Sequence, residues 1–230
     1  MKTLSVVIPA YNEERFVGTL LDRIKAVDLT PLGYAMELIV VDDCSKDGTA
    51  AIVAAVPHVR LIRMEKNGGK GRAVRAGIAA ATGDLLIIQD ADLEYDPQDY
   101  LPMMQALVDE RADIVYGSRY LGRGRHDNQS LAAYLGGRSL SLIAWVFTGT
   151  SLTDTVTALK LFRRADVAAL PLETSGFELD HEITSRMLAR GKTIVEVPIR
   201  YYPRSREEGK KIGLRDWFIG TRTFWRYRNG

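Results

Sequence analysis

With Cys44 as its single cysteine, the chain can form no intrachain disulfide and no thiolate metal cluster, and a reducing compartment is expected. Histidine is nearly as scarce. His58, His126 and His181 stand far apart with no cysteine beside them, which excludes a zinc site of ordinary ligand spacing. No one-signed charge dominates either: the formal net charge of the 230 residues is +2, so nothing supports nucleic acid as a partner of the whole molecule. Long apolar runs are missing. The longest, Leu140 to Phe147, falls well short of the roughly 20 residues that span a bilayer. Met1-Lys2-Thr3-Leu4 lacks a signal-peptide layout, and no internal repeat, low-complexity tract or long linker occurs. These absences predict a soluble or peripheral cytoplasmic protein of one large domain, with ordinary core-forming content at 46% hydrophobic residues.

Charge is present, but unevenly. From Arg204 onward eight Lys/Arg face three acids, which suggests a phosphate-rich partner or an anionic membrane surface. In the first half, apolar strand-like runs alternate with helical spacing. The runs are Leu4–Ile8, Leu38–Val41, Val59–Arg63, Leu85–Gln89 and Asp113–Tyr116, and the helices Glu13–Val27, Gly71–Ala81 and Pro97–Asp109, the last capped by Asp96. Such a pattern predicts an α/β domain with a mainly parallel central sheet covered by helices on both faces. Further on, the pattern predicts helices over 131–147, 178–190 and 213–227 and strands over 157–162 and 193–197.

Ligands of parallel sheets bind beyond the carboxyl ends of the strands. Three polar clusters fall there: Pro9-Ala10-Tyr11-Asn12-Glu13, Asp42-Asp43 and Asp90-Ala91-Asp92. Asp90 and Asp92, two apart on extended backbone, face the same way. Two carboxylates so placed call for a shared cation, and hard oxygen ligands suit Mg²⁺ or Mn²⁺ beside substrate phosphates. Glu94 is either a third metal-side group or a surface acid. Tyr11 either stacks on a base or packs on a loop, and Glu13 either caps a helix or accepts from a nucleotide. Of Asp42 and Asp43, one is expected to reach a ligand with the Val41 backbone while the other anchors the Ser45–Gly48 turn.

Asn67-Gly68-Gly69-Lys70-Gly71-Arg72 leads into a helix, as a phosphate loop or merely a tight turn, and fits neither common phosphate-loop spacing. Arg119, after Gly117-Ser118, and Arg138 are candidate anion contacts, and Arg200, Arg204, Arg206, Lys210 and Lys211 form a basic loop. Asp180 and Glu182 offer a general base or a helix cap. Residues 213–230 carry Trp217, Phe218, Phe224 and Trp225 with Arg215, Arg222, Arg226 and Arg228, an interfacial helix or one packed on the core.

Together, residues 6–13, 40–49 and 89–94 resemble the inverting family-2 glycosyltransferases of Rossmann-like A-type fold. Gly117-Ser118-Arg119, Glu196-Val197-Pro198-Ile199, Arg204 and Lys211-Ile212 are similar to the dolichol- and polyprenyl-phosphate mannosyltransferase branch. The resemblance covers about residues 3 to 212. It implies a catalytic domain over 1–212, followed by the basic aromatic helix, and a metal-dependent hexosyltransferase. That enzyme would move mannose from GDP-mannose to a polyprenyl or dolichyl phosphate. Pro9, Tyr11, Glu13, Val41 and Asp43 would hold the nucleoside. Asp90, Ala91 and Asp92 would meet the nucleotide sugar, with Asp90, Asp92 and Glu94 holding the metal. Arg119 and Arg138 would meet the acceptor phosphate, and Arg204 and Lys211 the donor phosphates; Asp92, Arg119 and Arg204 would carry catalysis. Glu94 stands where the archaeal enzymes often have Gln, and residues 153–158 follow the branch pattern loosely. The alternatives are a UDP-sugar transferase acting on a lipid phosphate or a polysaccharide hydroxyl, the latter needing Asp180 or Glu182 as base, a nucleotidyltransferase, and a non-catalytic nucleotide-binding module.

Overall fold

The computed structural model describes residues 1–109, 112–203 and 213–230. Its centre is a seven-stranded sheet built from β1 (Lys2–Ala10), β2 (Tyr34–Asp42), β3 (Val59–Arg63), β4 (Leu85–Ile88), β5 (Ile114–Ser118), β6 (Lys160–Arg163) and β7 (Ile194–Pro198). The strand order is β3-β2-β1-β4-β6-β5-β7. Every neighbouring pair is parallel except those made by β6, which runs antiparallel to both β4 and β5. The chain turns from one half of the sheet to the other between β1 and β4, so a crevice opens where their carboxyl ends diverge.

Side-chain alternation along the strands feeds a core on each face. Leu4, Val6 and Ile8 of β1 pack with α1 (Val17–Lys25) and α4 (Tyr100–Asp109). Val7, Ile39, Val41 and Leu86 pack with α3 (Lys70–Ala80) and α7 (Leu179–Ala189). Gly77 lets α3 press against β1, since a Cβ there would lie 2.3 Å from a Val7 methyl. A short α2 (Thr49–Ala54) and α6 (Arg164–Ala168) complete these layers.

A third, smaller cluster joins α5 (Leu131–Thr148) to α8 (Leu214–Tyr227) through Leu140, Ala144 and Phe224, with Trp217 against it. The expected terminal helix therefore packs on the rest of the fold. It buries Gly220, Thr223, Phe224 and Tyr227 while leaving Leu214, Phe218 and Trp225 exposed. On α5, Leu131, Leu135, Leu142, Trp145 and Val146 are exposed as well. Counted as a whole helix of 18 residues, α5 is long and apolar enough to cross a membrane, which corrects the reading from its Leu140–Phe147 stretch alone.

Candidate active site

The loops leaving β1, β2 and β4 each turn on a residue in the left-handed region: Asn12 (φ 55°), Cys44 (φ 61°) and Leu93 (φ 61°). Asn tolerates that conformation, whereas Cys and Leu hold it at a cost, as residues at functional turns often do. The first two loops are laced together. Asn12 N–H donates to Ser45 Oγ (3.0 Å), Lys46 N–H to Asn12 Oδ1 (2.9 Å), and Glu13 N–H to Thr49 Oγ1 (2.8 Å). Pro9 and Tyr11 lie at the end of β1 beside this lacing, and Val41 is fully buried, paired with Pro9 and Ile62 in the sheet. Asp42 accepts from Ser45 N–H (3.2 Å) and anchors the turn, as expected of one of the pair.

Asp43 is engaged differently. The Gly68 and Gly69 amides donate to its two oxygens at 2.8 Å each, fastening the glycine-rich loop. From the other side the Ser175 carbonyl accepts from Gly71 N–H (2.7 Å) and Arg72 N–H (3.3 Å). Gly69 adopts φ +87°, and a Cβ on Gly69 or Gly71 would collide with the 174–176 backbone. The amides of Gly68, Gly69, Gly71 and Arg72 are thus committed to protein acceptors, which removes most of the donors that a phosphate cradle, the basis of the nucleotidyltransferase reading, would use. What the clamped loop delivers is the side chain of Lys70.

The Lys70 ammonium sits 2.8 Å from an Asp90 oxygen and 3.4 Å from Asp180. Asp180, in the first turn of α7, also meets Lys160 Nζ at 2.8 Å, and Lys160 is entirely buried on β6. Four alternating charges, Asp90–Lys70–Asp180–Lys160, therefore run from the crevice into the core. Burial alone would lower the Lys70 pKa, yet Asp180 and Asp90 override it and raise it. Burial opposes the charge of Asp180 too, but Lys160 and Lys70 hold its carboxyl below the usual range. For Lys160 burial prevails over Asp180 and lowers the pKa. Lys160 escaped the sequence reading, and Lys70 entered it only as part of the Asn67–Arg72 loop. A lysine inside the apolar run Leu159-Lys160-Leu161 was the available signal, because a buried charge demands a buried partner.

Asp90 is steadied from behind: Gln89 donates to its carbonyl (2.9 Å) and accepts from Tyr100 Oη (2.8 Å). Glu94 departs from the expected trio. After the left-handed Leu93 the Glu94 N–H donates back to Asp92 Oδ1 (3.2 Å), while Tyr201 Oη donates to the Glu94 carboxylate (3.3 Å) and Tyr202 N–H to its carbonyl (2.9 Å). Among the described residues no group of three or more His, Cys, Asp or Glu is gathered for a metal. The donor set still fits Mg²⁺ or Mn²⁺, which commonly take one or two carboxylates and complete their shell with phosphate and water. The Lys70 ammonium on Asp90 is itself a stand-in cation at that position.

Beside Asp92 opens a cavity of about 600 Å³, lined by Phe16, Leu93, Arg123, His126 and Tyr201 among others. Near its Tyr201 and His126 wall, Arg119 is not the open anion contact expected from sequence. It forms a bidentate pair with the fully buried Asp154 (2.6 and 2.8 Å), between the rings of Tyr120 and Tyr201 at 5.2 and 5.1 Å. Glu196 in turn accepts from the amides of Thr153 (2.7 Å) and Asp154 (2.8 Å), and Arg138 donates to the Thr153 carbonyl (2.6 Å). So Arg119 and Arg138 do converge, on segment 153–154 and the face of Tyr120. Arg204, Arg206, Lys210 and Lys211 lie outside the described residues.

Neither candidate base is poised as one. Asp180 is held between two ammonium groups. Glu182 is fully buried, accepting from the amides of Glu173 and Thr174 (3.0 and 2.9 Å) and pairing with Arg186 (2.8 Å). His181, between them, is buried against Phe224 (ring centroids 4.8 Å), with Nδ1 lacking a hydrogen-bond partner. Burial pushes its pKa down to about 4. The unfolded chain therefore binds a proton there that the folded chain refuses between pH about 6.5 and about 4. Stability is expected to fall through that window on acidification, by up to ~3 kcal/mol from this group. Urea titrations at pH 7 and pH 4.5 on the natural protein and on His181→Leu check this, the variant losing less between the two.

The family model of glycosyl transferase family 2 matches residues 5–170. Dolichol-phosphate mannosyltransferase of Pyrococcus furiosus is 31% identical over 217 residues, 91% of this chain and 59% of that protein. Undecaprenyl-phosphate 4-deoxy-4-formamido-L-arabinose transferase of Salmonella enteritidis is 31% identical, over 94% of this chain and 64% of the relative. The chain thus spans roughly six-tenths of the length of these curated relatives. Among solved structures, mannosyl-3-phosphoglycerate synthase from Rubrobacter xylanophilus superposes with TM-score 0.74 at 20% identity, covering 98% of this chain and 72% of that one. Glucosyl-3-phosphoglycerate synthase from Mycobacterium tuberculosis, crystallised with Mn²⁺ and UDP, gives 0.69 at 23% identity, over 90% of this chain and 74% of that one. These likenesses show the A-type glycosyltransferase fold. With its two-carboxylate turn at the crevice of that sheet, the chain belongs to glycosyl transferase family 2.

Proposed function

We propose that this chain is the catalytic domain of an inverting transferase that moves a sugar from a nucleoside diphosphate sugar to a polyprenyl-type phosphate. The observation that carries the reading is the arrangement of charge: a carboxylate turn with a cation already on Asp90, and the Arg119–Arg138 cluster on segment 153–154. The nucleoside would lie on the rim of Pro9, Tyr11, Glu13, Val41 and Asp43, with Asp43 acting chiefly by holding the loop that presents Lys70. Asp90 and Asp92 would hold Mg²⁺ or Mn²⁺ on the diphosphate, with Glu94 outside that shell. Such a cation, when bound, supplies Lewis-acid neutralisation of the departing diphosphate. Arg204 and Lys211 are proposed as further diphosphate contacts on the strength of the resemblance.

Two features favour a phosphate acceptor over a hydroxyl. A phosphomonoester is already anionic, so it needs positioning rather than deprotonation. Asp180 and Glu182, the only base candidates the sequence offered, are both locked in ion pairs. Arg119 and Arg138 would orient the acceptor, Arg119 with what Asp154 leaves of its fork. The lipid tail of such an acceptor needs a membrane. The exposed apolar residues of α5 and α8, with Arg215, Arg222, Arg226 and Arg228 on α8, are proposed to face an anionic cytoplasmic leaflet.

GDP-mannose is the first donor to test, with UDP-glucose and UDP-N-acetylhexosamines as the alternative arm. Thermal shift with and without Mn²⁺ is expected to single out one donor, since a ligand bound only by the native state raises its apparent stability. Transfer is then measured to a polyprenyl phosphate and to soluble oligosaccharides. Product on the sugar hydroxyls alone, or donor shifts indifferent to Mn²⁺, would overturn the reading.

A further inference from the structure

The function proposed above uses Lys70 only as a cation seated on Asp90, yet its placement is tightly constrained. Asp43 holds the two amides before it and the Ser175 carbonyl the two after it, so the backbone carrying Lys70 is fixed on both sides. Its side chain is only 13% exposed, with the ring of Phe177 5.9 Å from the ammonium. Within those walls the ammonium has two carboxylates to choose from, Asp90 at 2.8 Å and Asp180 at 3.4 Å. Asp180 keeps a second cation, Lys160, at 2.8 Å, whereas Asp90 opens toward the crevice.

The charge balance makes the consequence concrete. Asp90, Asp92 and Asp180 with Lys70 and Lys160 sum to one negative charge in formal terms. Adding a bare divalent cation would leave a surplus positive charge in a confined site and set it against the Lys70 ammonium. Two like charges held that close repel measurably even at the dielectric of water. A cation arriving with a diphosphate brings its own compensation, and Lys70 then has phosphate oxygens as well as Asp180 to meet.

Resting on the metal–diphosphate reading above, we infer that Lys70 is the resident counter-cation of the Asp90–Asp92 turn. It occupies Asp90 in the nucleotide-free protein, opposes binding of a free divalent cation, and yields Asp90 when a nucleoside diphosphate supplies the compensating charge. Lys70 thus ties metal binding to donor binding. Asp180 is the positioning residue that keeps the displaced ammonium within reach, itself held by Lys160.

Mn²⁺ binding to the 230-residue protein, read as loss of the free-ion electron paramagnetic resonance signal, tests this without any turnover. Wild type, Lys70→Met and Lys70→Gln are compared with no nucleotide, with GDP and with UDP, and Asp90→Asn serves as the site control. Lys70→Met and Lys70→Gln are expected to bind Mn²⁺ without nucleotide about tenfold more tightly than wild type. The enhancement by GDP or UDP shrinks in both. Lys70→Arg, which keeps the positive charge, is expected to exclude free Mn²⁺ as wild type does and covers the case in which the neutral variants fail to fold. An arginine variant binding free Mn²⁺ tenfold more tightly than wild type would overturn the inference. Neutral variants that bind free Mn²⁺ no better than wild type, while wild type with nucleotide binds it and Asp90→Asn does not, also overturn it and leave the metal site standing. If Asp90→Asn with nucleotide binds Mn²⁺ as wild type does, the metal reading itself fails and the inference with it.

Discussion

Alanine at Asp90 or at Asp92 is expected to lower sugar transfer by about a thousandfold or more, the loss that follows when several kcal/mol of charge stabilisation at the leaving diphosphate disappear. The fold should survive either change. Asp90 is partly exposed, and its removal leaves Lys70 with Asp180, so the stability cost is that of a partly solvated ion pair, no more than about 1 kcal/mol. The two variants differ in one useful way. Asp90→Ala frees the Lys70 ammonium, whereas Asp92→Ala leaves the Asp90–Lys70 contact in place. Single-turnover transfer at saturating donor, measured beside thermal unfolding, separates chemistry from folding. Full activity in either variant would refute the assignment of this turn as the donor site.

How much of this was legible in the sequence follows from the range of the interactions involved. The parallel half of the sheet could be read because its strands are apolar runs followed at once by acids: Leu85–Ile88 stops two residues before Asp90, and Tyr34–Asp42 one before Asp43. The start of β2 could not, since Glu37 interrupts the apolar pattern there. That acid is satisfied by Ser5 across the strand pair and by Thr82 (3.0 Å). Nor could the direction of β6 be read, because an antiparallel strand inserted between β4 and β5 is decided by contacts far apart in sequence. The short α6 follows β6 without a break and left no periodicity to detect.

At the site the same rule holds. Asp90 and Asp92 are two apart in sequence, so spacing offered them as a pair; the extended backbone expected for them is absent, because β4 ends at Ile88 and Ala91-Asp92 form a turn. The chain of charges behind it is not local: Lys70 meets Asp180 across 110 positions, and Arg119 meets Asp154 across 35. Sequence offers Arg119 and Asp154 as separate groups, and only the fold shows that they neutralise each other. Among the described residues Glu94 is not gathered with Asp90 and Asp92 into a three-acid group, and spacing could not show that its carboxylate would meet the hydroxyl of Tyr201.

Replacing Asp180 with asparagine is expected to cost about 3–5 kcal/mol of stability, the range for a buried ion pair broken on one side. Lys160 has no exposure, and without the Asp180 charge its ammonium keeps, among the described residues, the Thr157 carbonyl and the face of Tyr116. In a protein of this size such a loss lowers the melting temperature by roughly 10 °C. Lys160→Met added to Asp180→Asn should recover much of it, because the stranded charge is then gone and an apolar side chain of similar length fills the space. Urea unfolding of the two single variants and the double variant forms the cycle that measures this coupling. The result also decides the acceptor question. Were Asp180 a general base for a hydroxyl acceptor, its loss would fall on turnover and remove the acidic limb of the pH–rate profile. The double variant could then restore stability but not that limb. With a phosphate acceptor no base is withdrawn, so the folded double variant retains transfer and loses chiefly the second carboxylate for Lys70, read as weaker Mn²⁺ binding because the ammonium stays on Asp90.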